Sequence, residues 1–290
     1  MELLFRRRLV SQIESSPAPV TYIYGPSGFG KSSLARQFVQ SSNLPHVWFE
    51  GRATTTAREL FIELSESIAN VLPEFKSEFQ KFQARESFTA KDVGDFLGIF
   101  HRIKREFILV IDDAEQVSDL HNDISLAFIK DFPNHLKFIV VRSPAPTLSN
   151  LKEFGFHRFQ VISPEELRFN REEFKLLAAS MTKNITKSDL DQLFDFTEGW
   201  PQGSALALEI YANLLPDQIP NFFDQLRRDG KARFTNLAHK VLALCSKAET
   251  ETLLCCALAI EIDPDLAVSL SGDLNSIKHL TRLANEGIVI

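Results

Sequence analysis

The chain lacks most of the features that mark secreted, membrane-spanning or zinc-bound proteins. It has 3 cysteines in 290 residues. Cys255 and Cys256 are adjacent and Cys245 lies upstream, so there is no C-x-x-C pair and no cysteine–histidine spacing that suits zinc. Buried thiols in a reducing compartment are expected. No apolar run approaches the roughly 18 residues of a membrane-crossing helix, and the N-terminus has no apolar signal core. A cytoplasmic protein with no membrane partner is therefore expected. Basic charge is not in excess: 32 Lys and Arg stand against 38 Asp and Glu, a net charge of -6. That argues against a chain that grips nucleic acid with its whole surface. The densest basic stretch, Arg6-Arg7-Arg8, reads as a solvated N-terminal face. There is no internal repeat and no low-complexity tract. Phenylalanine is abundant at 25, and this abundance points to no function by itself.

What the chain does have begins at Gly25. The stretch Gly25-Pro26-Ser27-Gly28-Phe29-Gly30-Lys31-Ser32, followed by Ser33, fits G-x-x-x-x-G-K-[ST]. Glycines let a backbone wrap an anion so that successive N–H groups point inward. Lys31 places a positive charge beside β- and γ-phosphates, and Ser32 offers a hydroxyl to Mg²⁺. The motif needs a strand before it and a helix after it. Val20 to Tyr24 is β-branched and aromatic, while Leu34, Ala35, Phe38 and Val39 recur at helical spacing.

A phosphate loop also needs a carboxylate to hold Mg²⁺, at the end of a buried strand beside the loop strand. Asp112 and Asp113 follow the apolar run Phe107 to Ile111. The first acid suits the metal, and the second suits orienting or activating water. Arg142 ends the next apolar run, Phe138 to Val141, where a guanidinium can read the γ-phosphate. The stretch Thr186-Lys187-Ser188-Asp189 resembles a guanine-reading motif, but no apolar strand precedes it, and Thr186 or Ser188 suits a helix cap. ATP or ADP with Mg²⁺ is the expected ligand, with weak Mg-dependent ATP hydrolysis.

Further strands are expected at 46–50, 136–141 and 157–162, and helices at 1–16, 57–72, 92–102, 170–180, 187–196 and 202–214. Residues 73–89 read as a loop with one marginal helix, and four short helical pieces are expected from about 234 onward. Strands alternate with helices only in the first half. This predicts an α/β phosphate-loop domain over 1–164, with a parallel five-stranded sheet, followed by all-helical or winged-helix material.

Together these motifs resemble the MalT-type branch of the STAND signal-transduction ATPases, often called LuxR-family ATP-dependent regulators. Arg6 to Leu9 with the phosphate loop, Phe107 to Val117, and Phe138 to Leu151 with Arg142-Ser143-Pro144 and Leu148 carry the resemblance. So do Leu167-Arg168-Phe169, Glu172-Glu173, and Thr197-Glu198-Gly199-Trp200-Pro201 with Ala205 to Leu208. The family often has a histidine two residues after the paired aspartates, where this chain has Glu115. The resemblance implies that Pro201 packs on or near adenine, that a helical lid over 165–220 closes on the nucleotide, and that an incomplete winged-helix-like domain over 221–290 locks an ADP-bound form. It also implies that ATP exchange permits self-association and that slow hydrolysis resets the switch. Members usually continue for hundreds of residues, so the chain reads as a piece of a longer regulator or a reduced member. Any DNA contact then lies in regions absent from it. The main alternative is an AAA+ motor or loader acting on DNA or protein, which needs an arginine finger; Arg102, Arg105 and Arg158 are the candidates. A small-molecule kinase would need an arginine-rich lid, and residues 170–215 are too apolar and acidic for one.

Overall fold

The computed structural model describes residues 4–52, 56–83, 90–117, 130–143, 157–182, 184–228, 245–257, 259 and 262–285. They group into two compact units, Met1–Leu177 with Glu198–Gln202, and Ala178–Thr197 with Gly203–Ile290.

The first unit is built on a sheet of five parallel strands: β1 (Val20–Tyr24), β2 (His46–Glu50), β3 (Ile108–Asp112), β4 (Lys137–Arg142) and β5 (Phe159–Ile162). Their order in space is β2-β3-β4-β1-β5. The strands are short apolar runs because the sheet is covered on both faces. The period of two sorts their side chains. Tyr22, Leu109, Ile111, Phe138 and Val140 face one core, and Ile23, Ile108, Val110, Ile139 and Val141 face the other.

Helices α1 (Arg7–Ser15) and α2 (Lys31–Ser42) supply the second core through Leu9, Val10, Ile13, Leu34, Ala35 and Phe38. Helices α3 (Ala57–Val71), α4 (Lys76–Gln83) and α5 (Ala90–Phe100) supply the first. Thr56 starts α3 with a capping box: its hydroxyl accepts from Glu59 N, and the Glu59 carboxylate accepts from Thr56 N at 2.7 Å.

The abundance of phenylalanine finds its place in this first core. Phe96 sits edge-on to Phe61, Phe79, Phe82 and Phe100 at centroid distances of 5.0 to 5.4 Å. Such pairs add to the stabilisation from buried area alone. The same rings bear on the expectation for 73–89. The one helix expected there is α4, entered through a 3₁₀ turn over Pro73–Phe75 and held by buried rings, while residues 84–89 lie outside the described residues. Phe79 and Phe82 lie three residues apart, so both project from one helix face into the aromatic cluster.

The second unit is helical where it is described, and after β5 the chain runs through α6 (Pro164–Leu167), α7 (Arg171–Met181), α8 (Lys187–Thr197), α9 (Pro201–Ala212) and α10 (Ile219–Arg228). Helix α8 (Lys187–Thr197) begins with Thr186 Oγ1 accepting from Asp189 N at 3.1 Å, so the guanine-like stretch is a helix cap. The Tyr211 hydroxyl donates to Asp189 Oδ2 at 2.8 Å. Further along, α11 (Lys247–Cys256), α12 (Pro264–Ser271) and α13 (Ser276–Asn285) close on a small core of Cys256, Ala267 and Leu280. Cys256 is buried but Cys255 is exposed, so only one of the adjacent pair meets the expectation of a buried thiol. The two are neighbours on one short helix and cannot share a face. Residues 229–244 and 286–290 lie outside the described residues, and among the described residues no strand follows Ile162.

Candidate nucleotide site

In a parallel sheet, ligands gather at the carboxyl ends of the strands. Here β1 ends at Tyr24 and passes directly into the loop Gly25 to Gly30, and α2 starts at Lys31. Gly30 precedes the helix in the left-handed region at φ 76, so the first-turn N–H groups of α2 open toward the loop. Lys31 is buried and its Nζ donates to Pro26 O at 3.2 Å, curling the side chain over the loop. Burial lowers the Lys31 pKa, and Glu115, Asp113 and Asp112 oppose that shift, in this order of strength. The ammonium thus sits among three carboxylates.

The strand that carries Asp112 does not lie beside the loop strand as expected; β4 stands between β1 and β3. Helix α2 bridges the gap, because it leans across both β4 and β3. Ser32 Oγ therefore reaches Asp112 and donates to Oδ1 at 2.9 Å. Asp112 is the last residue of its strand and only 2% exposed, and burial raises its pKa. Its Oδ1 also accepts from Asp113 N at 3.1 Å. A serine hydroxyl beside a buried carboxylate is a hard-oxygen pair that fits Mg²⁺.

Asp113 turns the chain away from the strand in the left-handed region at φ 48. Gly51, at the end of β2, makes room for that turn. Its N–H donates to Asp112 O at 2.8 Å, and a Cβ there would strike the Asp113 carbonyl. Burial also raises the Asp113 pKa, with Glu115 and Glu50 adding to the effect. Arg142 pairs with Tyr24 in register, and its carbonyl accepts from Gly25 N at 3.3 Å. It therefore abuts the first residue of the loop, and its Nε is buried with no hydrogen-bond partner among the described residues. Burial pushes the nearby Tyr22 hydroxyl up to about 12, opposed by the Arg142 charge. Pro144 and Leu148 lie outside the described residues.

The loop is covered by the segment Glu198–Gln202, which belongs to the first unit although its chain neighbours do not. Gln202 N donates to Gly28 O at 3.1 Å. Gly28 has φ 79, and a Cβ on it would run into the Gln202 side chain. Pro201 is buried one residue earlier. Gly199 O accepts from Phe169 N at 2.7 Å, and Glu198 O accepts from Arg168 Nη1 at 2.8 Å. The Arg168 guanidinium lies 5.7 Å from the centre of the Phe29 ring, within the loop itself.

Arg6, at the N-terminus, joins this arrangement and departs from the expectation of a solvated face, which Arg7 and Arg8 meet by staying exposed. Arg6 is 4% exposed. Its guanidinium bonds Leu167 O at 2.9 Å, pairs with Glu173 at 3.2 Å and lies over the Phe169 ring. Arg8 donates to Glu166 O at 2.8 Å. Residues 166–169 offer free carbonyls at a chain reversal, and guanidinium groups satisfy several at once. The arginine-finger candidates are otherwise engaged. Arg102 pairs with Glu78, Arg105 donates to Val71 O, and Arg158 donates to Phe132 O. Arg105 and Arg158 precede β3 and β5, so they lie at the sheet edge away from the loop.

Sequence reasoning did not single out Gln202, Gly51, or Glu115 as a member of the site. Each had only a position next to a motif to signal it.

Residues 7–144 match an ATPase domain found predominantly in Archaea. With the loop, Lys31, and the Ser32–Asp112 pair in place, the assignment follows. This part of the chain has the α/β fold of a P-loop NTPase. The chain is also 25% identical over 202 residues to the serine/threonine-protein kinase PknK of Mycobacterium tuberculosis and of Mycobacterium bovis. That stretch is 64% of this chain and 17% of theirs, so the chain spans a small part of the curated relatives it matches. Among solved structures it is similar to a Walker-type ATPase of Pyrococcus abyssi, at TM-score 0.48 and 16% identity, covering 95% of this chain and 87% of that one. It is similar also to the ORC1 protein of Aeropyrum pernix in complex with DNA, at TM-score 0.46 and 10% identity, covering 99% and 85%. Among the described residues no helix is long and apolar enough to cross a membrane.

Proposed function

We propose that this chain is the nucleotide-operated switch module of a STAND-type signalling or transcriptional regulator, with ATP and ADP as its alternative ligands and slow hydrolysis between them. The observation that carries the reading is the backbone bond from Gln202 to Gly28. It ties the phosphate loop to the start of helix α9 (Pro201–Ala212), whose later turns belong to the helical unit. A change in the loop then has a direct mechanical outlet. The match to a small part of a much longer kinase supports a module that serves larger signalling chains.

The chain's own residues divide the work. Loop N–H groups and the first turn of α2 hold the phosphates. Lys31 neutralises charge at the β- and γ-phosphates, and Arg142 reads the γ-phosphate from the end of β4. Ser32 and Asp112 would hold Mg²⁺, which would supply charge neutralisation at the phosphates. Asp113 and Glu115 complete the acidic wall beside Lys31. Pro201 packs on the adenine side, and the helices beyond 247 form the winged-helix-like portion that holds the ADP state. Self-association follows ATP binding, DNA contact belongs to regions outside this chain, and the setting is cytoplasmic.

The test is equilibrium titration with Mg-ATP and Mg-ADP. Lys31→Ala should abolish measurable binding of both, whereas unchanged affinity would remove the site assignment. Tight copurifying ADP and less than about one turnover per second are expected of a switch. Fast multiple turnover would favour a motor instead.

A further inference from the structure

We propose that Glu115 is the group that receives the proton of the attacking water when this site hydrolyses a nucleoside triphosphate. The inference rests on the nucleotide-switch reading and adds a residue to it.

Asp112 is committed to Ser32, whose hydroxyl it accepts, and to the Asp113 N–H. The left-handed turn at Asp113 feeds a 3₁₀ turn, Ala114–Gln116, that carries Glu115 back toward the strand ends. Ser143 N, directly after β4, donates to Glu115 Oε1 at 3.0 Å. Since β4 lies between the loop strand and the Asp112 strand, this bond places the carboxylate at the carboxyl edge between the two halves of the site. Its other oxygen, Oε2, is buried without a hydrogen-bond partner among the described residues.

A buried, unpaired carboxylate oxygen is costly to retain. Lys31 marks the position of the γ-phosphate, and Glu115 is the acid that acts on it most strongly, ahead of Asp113 and Asp112. One residue from the anchoring Ser143, Arg142 Nε is likewise buried and unpartnered. Two orphaned polar atoms of opposite charge thus accompany the β4 terminus, beside the phosphate loop. The arginine suits the γ-phosphate oxygens. The glutamate oxygen suits a water in line with the γ-phosphorus: one oxygen is fixed by the Ser143 N–H, and the other is free to accept.

The step balances without any redox partner. A lone pair of the water oxygen forms the new bond to the γ-phosphorus, and the bond to the β,γ-bridging oxygen breaks. Its electron pair leaves with the nucleoside diphosphate. The water proton passes to Glu115 Oε2 and then to solvent, leaving inorganic phosphate.

The experiment uses the full chain with Mg-ATP. It measures single-turnover phosphate release, equilibrium affinity for ATP and ADP, and the nucleotide retained after incubation. Glu115→Gln keeps an oxygen that can accept from Ser143 N, so its shape and anchor survive. It should slow phosphate release by about a hundredfold or more. Its ATP affinity should be unchanged or tighter, because a negative charge beside Lys31 is gone, and it should retain ATP where the unmodified chain retains ADP. Glu115→Asp, which withdraws the carboxylate from the water, should also be slow. Asp113→Asn should cost less than Glu115→Gln. Hydrolysis at the unmodified rate in Glu115→Gln, or a larger loss in Asp113→Asn, overturns the assignment while leaving the switch reading intact. If the unmodified chain binds no ATP, the switch reading fails and the role of Glu115 fails with it.

Discussion

The Ser32 hydroxyl and the Asp112 carboxylate lie 80 residues apart in sequence and meet at 2.9 Å. One opens α2 and the other closes β3, on strands that are not neighbours. The contact joins the two residues proposed to hold Mg²⁺. Asp112→Asn keeps the shape and an oxygen for Ser32 but removes the negative charge. Nucleotide binding should persist while Mg-dependent turnover is lost, read by phosphate release with and without Mg²⁺. Full turnover would refute the metal role.

The cover over the loop depends on Gly28. A residue with a Cβ at φ 79 carries about 1 to 2 kcal/mol of backbone strain. At this position the Cβ also strikes Gln202. Gly28→Ala should therefore displace the Glu198–Gln202 segment and speed ADP dissociation. Pro201→Ala should weaken ADP retention too, through the base rather than the loop. Stopped-flow release of a fluorescent ADP analogue measures both, and unaltered dissociation in Pro201→Ala would remove the adenine contact.

Phe96 lies within 5.4 Å, centroid to centroid, of four other phenylalanine rings and is fully buried. Truncation leaves a cavity that a ring-on-ring core fills poorly. Phe96→Ala should cost about 3 to 5 kcal/mol in denaturant unfolding of the ATPase domain. A loss below about 1 kcal/mol would mean the cluster collapses around the void.

Glu249 and Arg282 join α11 to α13, with Arg282 Nη2 donating to Glu249 Oε2 at 2.8 Å. Arg282, and then the Ser246 N–H, hold the Glu249 carboxyl down at about 2, against an ordinary 4.5. Because the folded pKa is depressed, this stabilisation is complete above pH 4.5 and is lost as pH falls toward about 2. Cys256 in the core of these helices reports on it. With Cys245 and Cys255 changed to Ser, labelling of Cys256 by a pyridyl disulfide should accelerate across that window. Arg282→Ala should label quickly already at pH 5. Equal rates in both proteins would show that the pair does not hold the helices.

Much of the fold was legible in the chain because local pattern and tertiary role agree. The run Val20 to Tyr24 is a strand at its expected bounds, and so is His46 to Glu50. The first is buried from Val20 to Ile23, which fits a sheet covered on both faces, and the second alternates buried Val47 and Phe49 with exposed ends at the sheet edge. The loop was legible for the same reason: anion wrapping demands glycine and lysine at fixed spacing within eight consecutive residues. Helix α4 was harder to read, because its short, charged sequence is stabilised by aromatic contacts made across the core.

The sequence alone determined the phosphate loop, the acids that end β3, the alternation of strands and helices, and the arginine that ends β4. These are local matters of spacing, residue type and periodicity. The tertiary structure alone decided that β4 separates the two halves of the site, that Arg6 is buried against residues 167–173, that Gln202 rests on Gly28, and that Glu115 is anchored by Ser143 with one oxygen free. The reason is physical. Strand order and long-range hydrogen bonds depend on how distant segments share one sheet edge, and spacing along the chain carries no record of that neighbourhood.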